Sequence, residues 1–315
     1  MHAEPLAPTR VGRFYRGGEL IGRLRGEPEE DTYLPEDWLG SVTEARNPGS
    51  SDPEEGLSRL ADGRLLRDAV EADPLSWLGE PHVERFGAST ALLVKLLDAA
   101  ERLPVHAHPD REFAREAFGS PFGKTEAWVV LDTRGGDAEV WVGLHERVEP
   151  ERYLAWIAGQ ETDRLLGSLN EIRVRAGDVV YVPAGVPHAI GAGVLIAELQ
   201  EPTDFSLLCE HEGFPIRADD SHLGLGWEAA VTALDLTAHE PIRALPPEAA
   251  SFFWVDEVLE APGRFAVLLV LEGEGVIDGA RARPGSAFAL PASSESVRVE
   301  GDLRVLRCLA PDPEA

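Results

Sequence analysis

Lysine is almost missing from this sequence. Of 29 basic residues only Lys95 and Lys124 are lysines, and all the others are arginine. Positive charge of either kind is also scarce: 56 acidic side chains leave a formal net charge of −27 at pH 7 over 315 residues. The acidic excess runs the length of the chain, which excludes nucleic acid as a partner, because a phosphate backbone is gripped by Lys and Arg. Cysteine is limited to Cys209 and Cys308, with neither metal-type nor redox spacing, and no secretory leader is evident. A reducing, cytoplasmic setting is the expectation. Long apolar runs are absent too. The longest, 265–271, falls far short of the roughly 20 residues a membrane-spanning helix needs, so no membrane partner is expected. What the chain does have is 24 prolines, 31 glycines and 43% hydrophobic residues, the make-up of a globular protein with many short strands and turns.

Periodicity gives a mainly β pattern with a few inserted helices. Residues 65–72 read as an amphipathic helix, and 90–103 fits either a helix or a buried strand over 91–97. Strands are expected at 127–131 and 139–142, joined as a hairpin through Gly135-Gly136. Residues 150–169 carry Tyr153, Leu154, Ile157, Leu165 and Leu166 at helical steps around Gly159. Short strands then follow at 171–175, 179–182, 189–190 and 195–199, punctuated by glycine turns in the cadence of an antiparallel barrel or sandwich. A second strand series runs over 251–309. Its segment 283–292, Arg-Pro-Gly-Ser-Ala-Phe-Ala-Leu-Pro-Ala, echoes 175–184, Arg-Ala-Gly-Asp-Val-Val-Tyr-Val-Pro-Ala. One module is used twice. No histidine follows His239, so metal chemistry belongs to the first copy. The acidic runs 27–31 and 52–55 and the turn-rich stretch 47–56 read as solvated loops.

Chemistry concentrates in three places: His106-Ala-His108-Pro109, then Glu126, then His188 closing a Pro183-x-Gly185-x-x-His turn. Residues two apart on an extended segment face one side, so His106 and His108 can point together. Two or three imidazoles with one carboxylate suit a borderline divalent ion with positions left open for substrate. His-x-His alone is weak evidence. Its combination with the Gly-Asp, β-branched strand and Pro-x-Gly-x-x-His turn resembles the cupin superfamily.

The likeness sharpens over most of the chain. Leu92-Leu93-Val94-Lys95, Leu103-Pro104-Val105-His106-Ala107-His108-Pro109-Asp110, Gly123-Lys124-Thr125-Glu126-Ala127-Trp128 and the run 177–191 resemble the signatures of the type I phosphomannose isomerases. That resemblance implies two cupin-type β-barrel (jelly-roll) modules: residues 1–238, metal-binding with helical insertions, and residues 239–315, smaller and without metal ligands. It implies metal ligation by His108, Glu126 and His188, with His106 where the family carries a glutamine that also reaches the metal. One divalent ion per chain is expected, zinc first, with manganese, iron and cobalt as alternatives. The implied activity interconverts mannose 6-phosphate and fructose 6-phosphate, an aldose-ketose isomerisation, in a monomer or homodimer. Lys124 and Glu198 are the implied catalytic residues, and Lys95 lies in the implied substrate pocket.

Two departures stand out. An arginine ten residues beyond the glutamate, implicated in the family's reaction, is replaced by Leu208 in the run Glu198-Leu-Gln200-Glu201-Pro-Thr203-Asp204-Phe-Ser-Leu-Leu208. Leucine can neither bind phosphate nor stabilise developing negative charge, so Arg217 in the following loop is the expected substrate-binding substitute. If nothing compensates, a cupin-type sugar-binding or regulatory protein without turnover is the alternative. The segment 14–18, Phe-Tyr-Arg-Gly-Gly, stands where the family has Trp-Gly-Gly, and reads as packing variation. A cupin dioxygenase fits less well, because the step from His108 to Glu126 is longer than single-motif cupins use.

Overall fold

The leucine-rich stretch 90–103, open to either helix or strand, forms a strand at Leu93–Ala99 in the computed structural model, which describes residues 1–47 and 52–315. Every residue of this strand is buried, and its two faces go to different cores. Val94 and Leu96 pack into one cluster, while Leu97 and Ala99 pack into another. Burial on both faces is why the segment reads as a continuous apolar run rather than as an alternation.

Three antiparallel sheets result. The first orders its strands Arg10–Val11, Glu36–Leu39, Leu93–Ala99, Val194–Gln200, Glu126–Thr133 and Val179–Val182. The second orders Leu207–Leu208, His106–Ala107, His188–Ile190, Ala138–Leu144 and Leu169–Val174. Between them lies an apolar layer that includes Trp128, Val130, Val140, Ile172, Val180 and Ile196. The third sheet holds Glu4–Leu6, Ala287–Leu290, Ala266–Ile277, Val299–Leu309 and Trp254–Asp256. It packs on the first through Phe265, Val267, Leu269 and Leu306. Thus the first strand of the chain belongs to the C-terminal sheet. The mainly β class is as expected, and among the described residues no pairing closes a sheet into a barrel.

Two local expectations are corrected. The strands Glu126–Thr133 and Ala138–Leu144 do not pair; Gly135-Gly136, both at positive φ, carries the chain from the first sheet to the second. A double glycine marks a tight reversal but not which sheet the chain re-enters. The helical interval 150–169 is two helices, Pro150–Ala158 and Thr162–Gly167. They are separated by Gln160, at φ 46°, whose side-chain oxygen accepts from the backbone N–H of His211 and Glu212. Tyr153, Trp156, Ile157 and Leu165 of this pair cover the back of the second sheet. Of the acidic runs, Asp31 is not merely solvated, for its carboxylate receives Arg134 in a two-bond fork at 2.6 and 2.7 Å. The stretch 47–56 lies partly outside the described residues.

The internal repeat is visible as one turn built twice. Gly177 and Gly285, both at positive φ, donate to Val130 O and Val270 O, while Val130 and Val270 donate back to Asp178 O and Ser286 O, all at 2.8–2.9 Å. The side chain two bonds along accepts from the turn's first residue in each copy: Asp178 Oδ2 from Arg175 N and Ser286 Oγ from Arg283 N.

At the junction of the first and third sheets, Arg25 meets Asp37 at 2.6 Å with both side chains buried, and Asp37 also accepts from Thr9 N. Removing one partner of a buried ion pair strands the other charge. Asp37→Ala is therefore expected to cost about 3–5 kcal/mol in urea denaturation, whereas a loss below about 1 kcal/mol would mean that Arg25 finds water.

Candidate metal centre and substrate pocket

Register decides which side chains meet. In the first sheet Glu198 lies directly across from Lys95 on one side and Trp128 on the other, and Gln200 lies across from Glu126. In the second, His188 pairs with His106, and His106 pairs with Leu208. Strand alternation then turns Lys95, Glu126 and Glu198 toward His106 and His188 at one end of the layer between the sheets. His108 follows the short strand His106–Ala107, and Asp110 caps the next helix by accepting from Phe113 N.

Each of the three imidazoles is pinned the same way. His106 Nδ1 bonds Pro104 O at 2.8 Å, His108 Nδ1 bonds Phe205 O at 2.7 Å, and His188 Nδ1 bonds Val186 O at 2.8 Å. A carbonyl can only accept, so each Nδ1 carries a proton, and in the neutral tautomer this leaves Nε2 as the lone pair. The rings are buried, and one ligand atom from each lies within 4.8 Å of the others. Glu126 faces them, with Oε2 3.2 Å from His108 Nε2 and Oε1 3.3 Å from His188 Nε2. Trp128 Nε1 donates to Glu126 Oε1 at 3.0 Å and orients it. Lone pairs thus confront carboxylate oxygens, and neither His188 Nε2 nor Glu126 Oε2 has a hydrogen-bond partner. That donor set, three imidazoles presenting Nε2 and a carboxylate, fits a divalent cation. Lys124 supplies positive charge at the same point, its Nζ 2.9 Å from His108 Nε2 and 3.3 Å from Glu126 Oε2.

Protonation follows from this packing. Burial, then the neighbouring His188, His108 and Lys124, hold His106 well below the usual imidazole range. Burial and Lys124 bring His108 down to about 3. Burial alone would raise Glu126, but Lys124, His108 and His188 outweigh it and hold the carboxylate well below its usual range. Glu198 goes the other way, raised by burial and by Glu126 against the opposing pull of Lys95.

A cavity of about 980 Å³ opens onto this centre, lined among others by Lys95, His106, Lys124, Glu198, Leu208 and Arg217. Lys95 lies 3.5 Å from Glu198 and 3.9 Å from both Glu36 and Asp204, over the Trp38 ring at 4.8 Å. Burial opposes its charge, but the three carboxylates prevail and raise its pKa. Arg217 stands at the mouth with its side chain 79% exposed, 3.8 and 4.0 Å from Asp220 and Asp219.

The comparisons with known proteins bear on this arrangement directly. A family model described as phosphomannose isomerase type I, catalytic domain, matches residues 28–126. A mannose-6-phosphate isomerase of Streptococcus mutans is 32% identical over 74% of this chain and 79% of its own length. The chain belongs to the type I phosphomannose isomerase family. Mannose-6-phosphate isomerase ManA of Bacillus subtilis is 39% identical over 41% of each chain. The fold agrees: a putative mannosephosphate isomerase from Archaeoglobus fulgidus superposes with TM-score 0.77 at 21% identity, covering 99% of this chain and 98% of that one. The Bacillus subtilis mannose 6-phosphate isomerase structure gives 0.76 at 23%, covering 98% and 99%. A zinc-bound mannose 6-phosphate isomerase gives 0.71 at 18%, covering 99% and 100%.

Within this phosphomannose isomerase fold the structure gathers every residue the sequence singled out, Arg217 only at the rim. It also places in the pocket residues that motif reading passed over. Arg13 is buried there, its Nε 3.0 Å from Glu36 and its terminal nitrogens 3.0 and 3.1 Å from Asp204. Burial opposes the Arg13 charge, yet Asp204 and Glu36 raise its pKa, while Arg13 and Lys95 overcome burial to bring Glu36 down to about 2. Tyr15 donates to Glu36 at 2.6 Å. The segment read as packing variation therefore forms a pocket wall. The one local hint was the Thr203-Asp204 pair, whose carboxylate meets both Arg13 and Lys95. His145 and His239 are partnered near the surface with Gly167 O and Asp235, as ordinary histidines.

Two outcomes follow. His108→Ala or His188→Ala should weaken zinc binding more than about 10-fold, measured by chelator competition; unchanged affinity in both would place the ion elsewhere. In the metal-free protein, unfolded histidines take up protons below pH 6.5 that His106 and His108 refuse when folded. The stability they support is complete above pH 6.5 and is lost as pH falls toward 3, so Tm should decline over that window. Replacing both with glutamine should flatten the decline, and an unaltered slope would contradict the assignment.

Proposed function

We propose that this protein is a metal-dependent aldose-ketose isomerase interconverting mannose 6-phosphate and fructose 6-phosphate. The observation that carries the reading is the meeting of three Nε2 lone pairs with Glu126 at the floor of a cavity that also holds both lysines and Glu198. Kinship with a mannose-6-phosphate isomerase over most of its length supports it. His106, His108, Glu126 and His188 would hold one divalent ion, zinc first. When bound, such an ion supplies Lewis-acid polarisation of substrate oxygens.

The remaining work falls to side chains of the pocket. Glu198, buried, with Oε2 lacking a hydrogen-bond partner and its basicity raised, is the base that carries a proton between C1 and C2. Lys124 lies beside the ligand atoms, where its ammonium stabilises negative charge developing on the substrate oxygens. Lys95 holds Glu198 in place and lies in the substrate's path, and Arg217 borders the entrance through which the substrate passes. We assign residues 1–238 to the metal-binding module and residues 239–315 to a C-terminal module without ligands. The binding-only alternative rests on Leu208 alone, and the named relatives are isomerases.

With zinc, manganese or cobalt added, the purified protein should interconvert the two sugar phosphates, and Glu198→Gln should lower kcat at least about 100-fold. Absence of turnover above a His108→Ala background with every metal would overturn the reading in favour of a binding protein.

A further inference from the structure

The pocket contains more buried positive charge than it can offer a ligand. Arg13 is engaged by Glu36, Asp204 and Asn47. Lys95 is enclosed by three carboxylates, and Lys124 is turned to His108 and Glu126. Arg217 faces Asp219 and Asp220. A phosphate dianion entering this cavity still needs a cation whose charge is not already spent, and the family's usual candidate is Leu208.

Arg46 meets that need. It lines the same cavity and makes no ion pair among the described residues. Its guanidinium carbon lies 4.7 Å over the Phe205 ring. Phe205 is in turn stacked on Phe118 at 4.6 Å with planes 23° apart, so the platform is itself braced. The Arg46 backbone N–H donates to Asp204 Oδ2 at 2.7 Å, which ties the residue to the carboxylate that also holds Arg13. A guanidinium held against an aromatic face by a cation–π contact still has N–H groups to donate, and their fork matches two phosphate oxygens.

Resting on the sugar-phosphate reading above, we infer that Arg46, presented by Phe205, is the phosphate-binding residue that replaces the family arginine lost at Leu208. The replacement comes from the segment facing the 198–208 run, and the run supplies the platform.

In the zinc-loaded enzyme, Arg46→Ala should raise KM for mannose 6-phosphate about 10- to 100-fold and weaken competitive inhibition by inorganic phosphate by a similar factor, the loss being carried by KM rather than kcat. Arg46→Lys, which keeps charge but loses the fork, should recover only part of it. Zinc affinity and Tm, measured alongside, should match wild type. Unchanged KM and unchanged phosphate inhibition in Arg46→Ala would overturn the inference while leaving the isomerase reading intact. If the wild type turns over no mannose 6-phosphate, calorimetric titration of wild type and Arg46→Ala with inorganic phosphate decides it: equal affinity overturns the inference, and weaker binding to the variant upholds it.

Discussion

Three hydrogen bonds from imidazole Nδ1 to backbone carbonyls determine what this pocket can be. By fixing the proton of each neutral ring on Nδ1, they leave the Nε2 lone pairs facing one another and a carboxylate at the end of an apolar layer, where the cavity opens. Such a cluster is repulsive by itself, and burial keeps His106 and His108 from escaping by protonation. The two flanking sheets supply the force that holds it together, since separating them would expose Trp128, Val130, Ile172 and Ile196. Hydrophobic burial thus stabilises an electrostatic arrangement that is completed by a cation.

The net charge of −27 takes on a different meaning in this setting. Exposed charge is screened beyond about 8 Å at physiological salt, so the acidic surface says little about a ligand inside the cavity. There, both lysines of the chain sit among Glu36, Glu126, Glu198 and Asp204. A compact ammonium can approach three carboxylates from above an indole ring, as Lys95 does over Trp38, where a planar fork would have to choose one. The scarcity of lysine elsewhere is a surface preference for arginine; these two positions are where geometry overrides it.

How much of this was legible in the sequence divides along a physical line. His106, His108, Glu126 and His188 were readable because each sits in a short motif whose local conformation, an extended pair or a glycine turn, dictates where the side chain goes. The repeated turn at Gly177 and Gly285 was readable for the same reason. Arg13, Tyr15, Glu36 and Arg46 were not, because their place in the pocket depends on which strands lie side by side, Glu36–Leu39 next to Leu93–Ala99, and on loops that cross between sheets. The misread hairpin at Gly135-Gly136 has the same origin. A turn signal is local, and strand partnership is not. The helix broken at Gln160 escaped notice because its cause, two amides of a loop some fifty residues onward, is tertiary.

Phe205 joins two ends of the pocket in a single residue. Its carbonyl oxygen grips the His108 ring, and its own ring underlies the Arg46 guanidinium. Backbone and ring of one amino acid thus brace both the His108 imidazole and the Arg46 guanidinium, so any displacement of Phe205 is felt at both ends of the pocket at once.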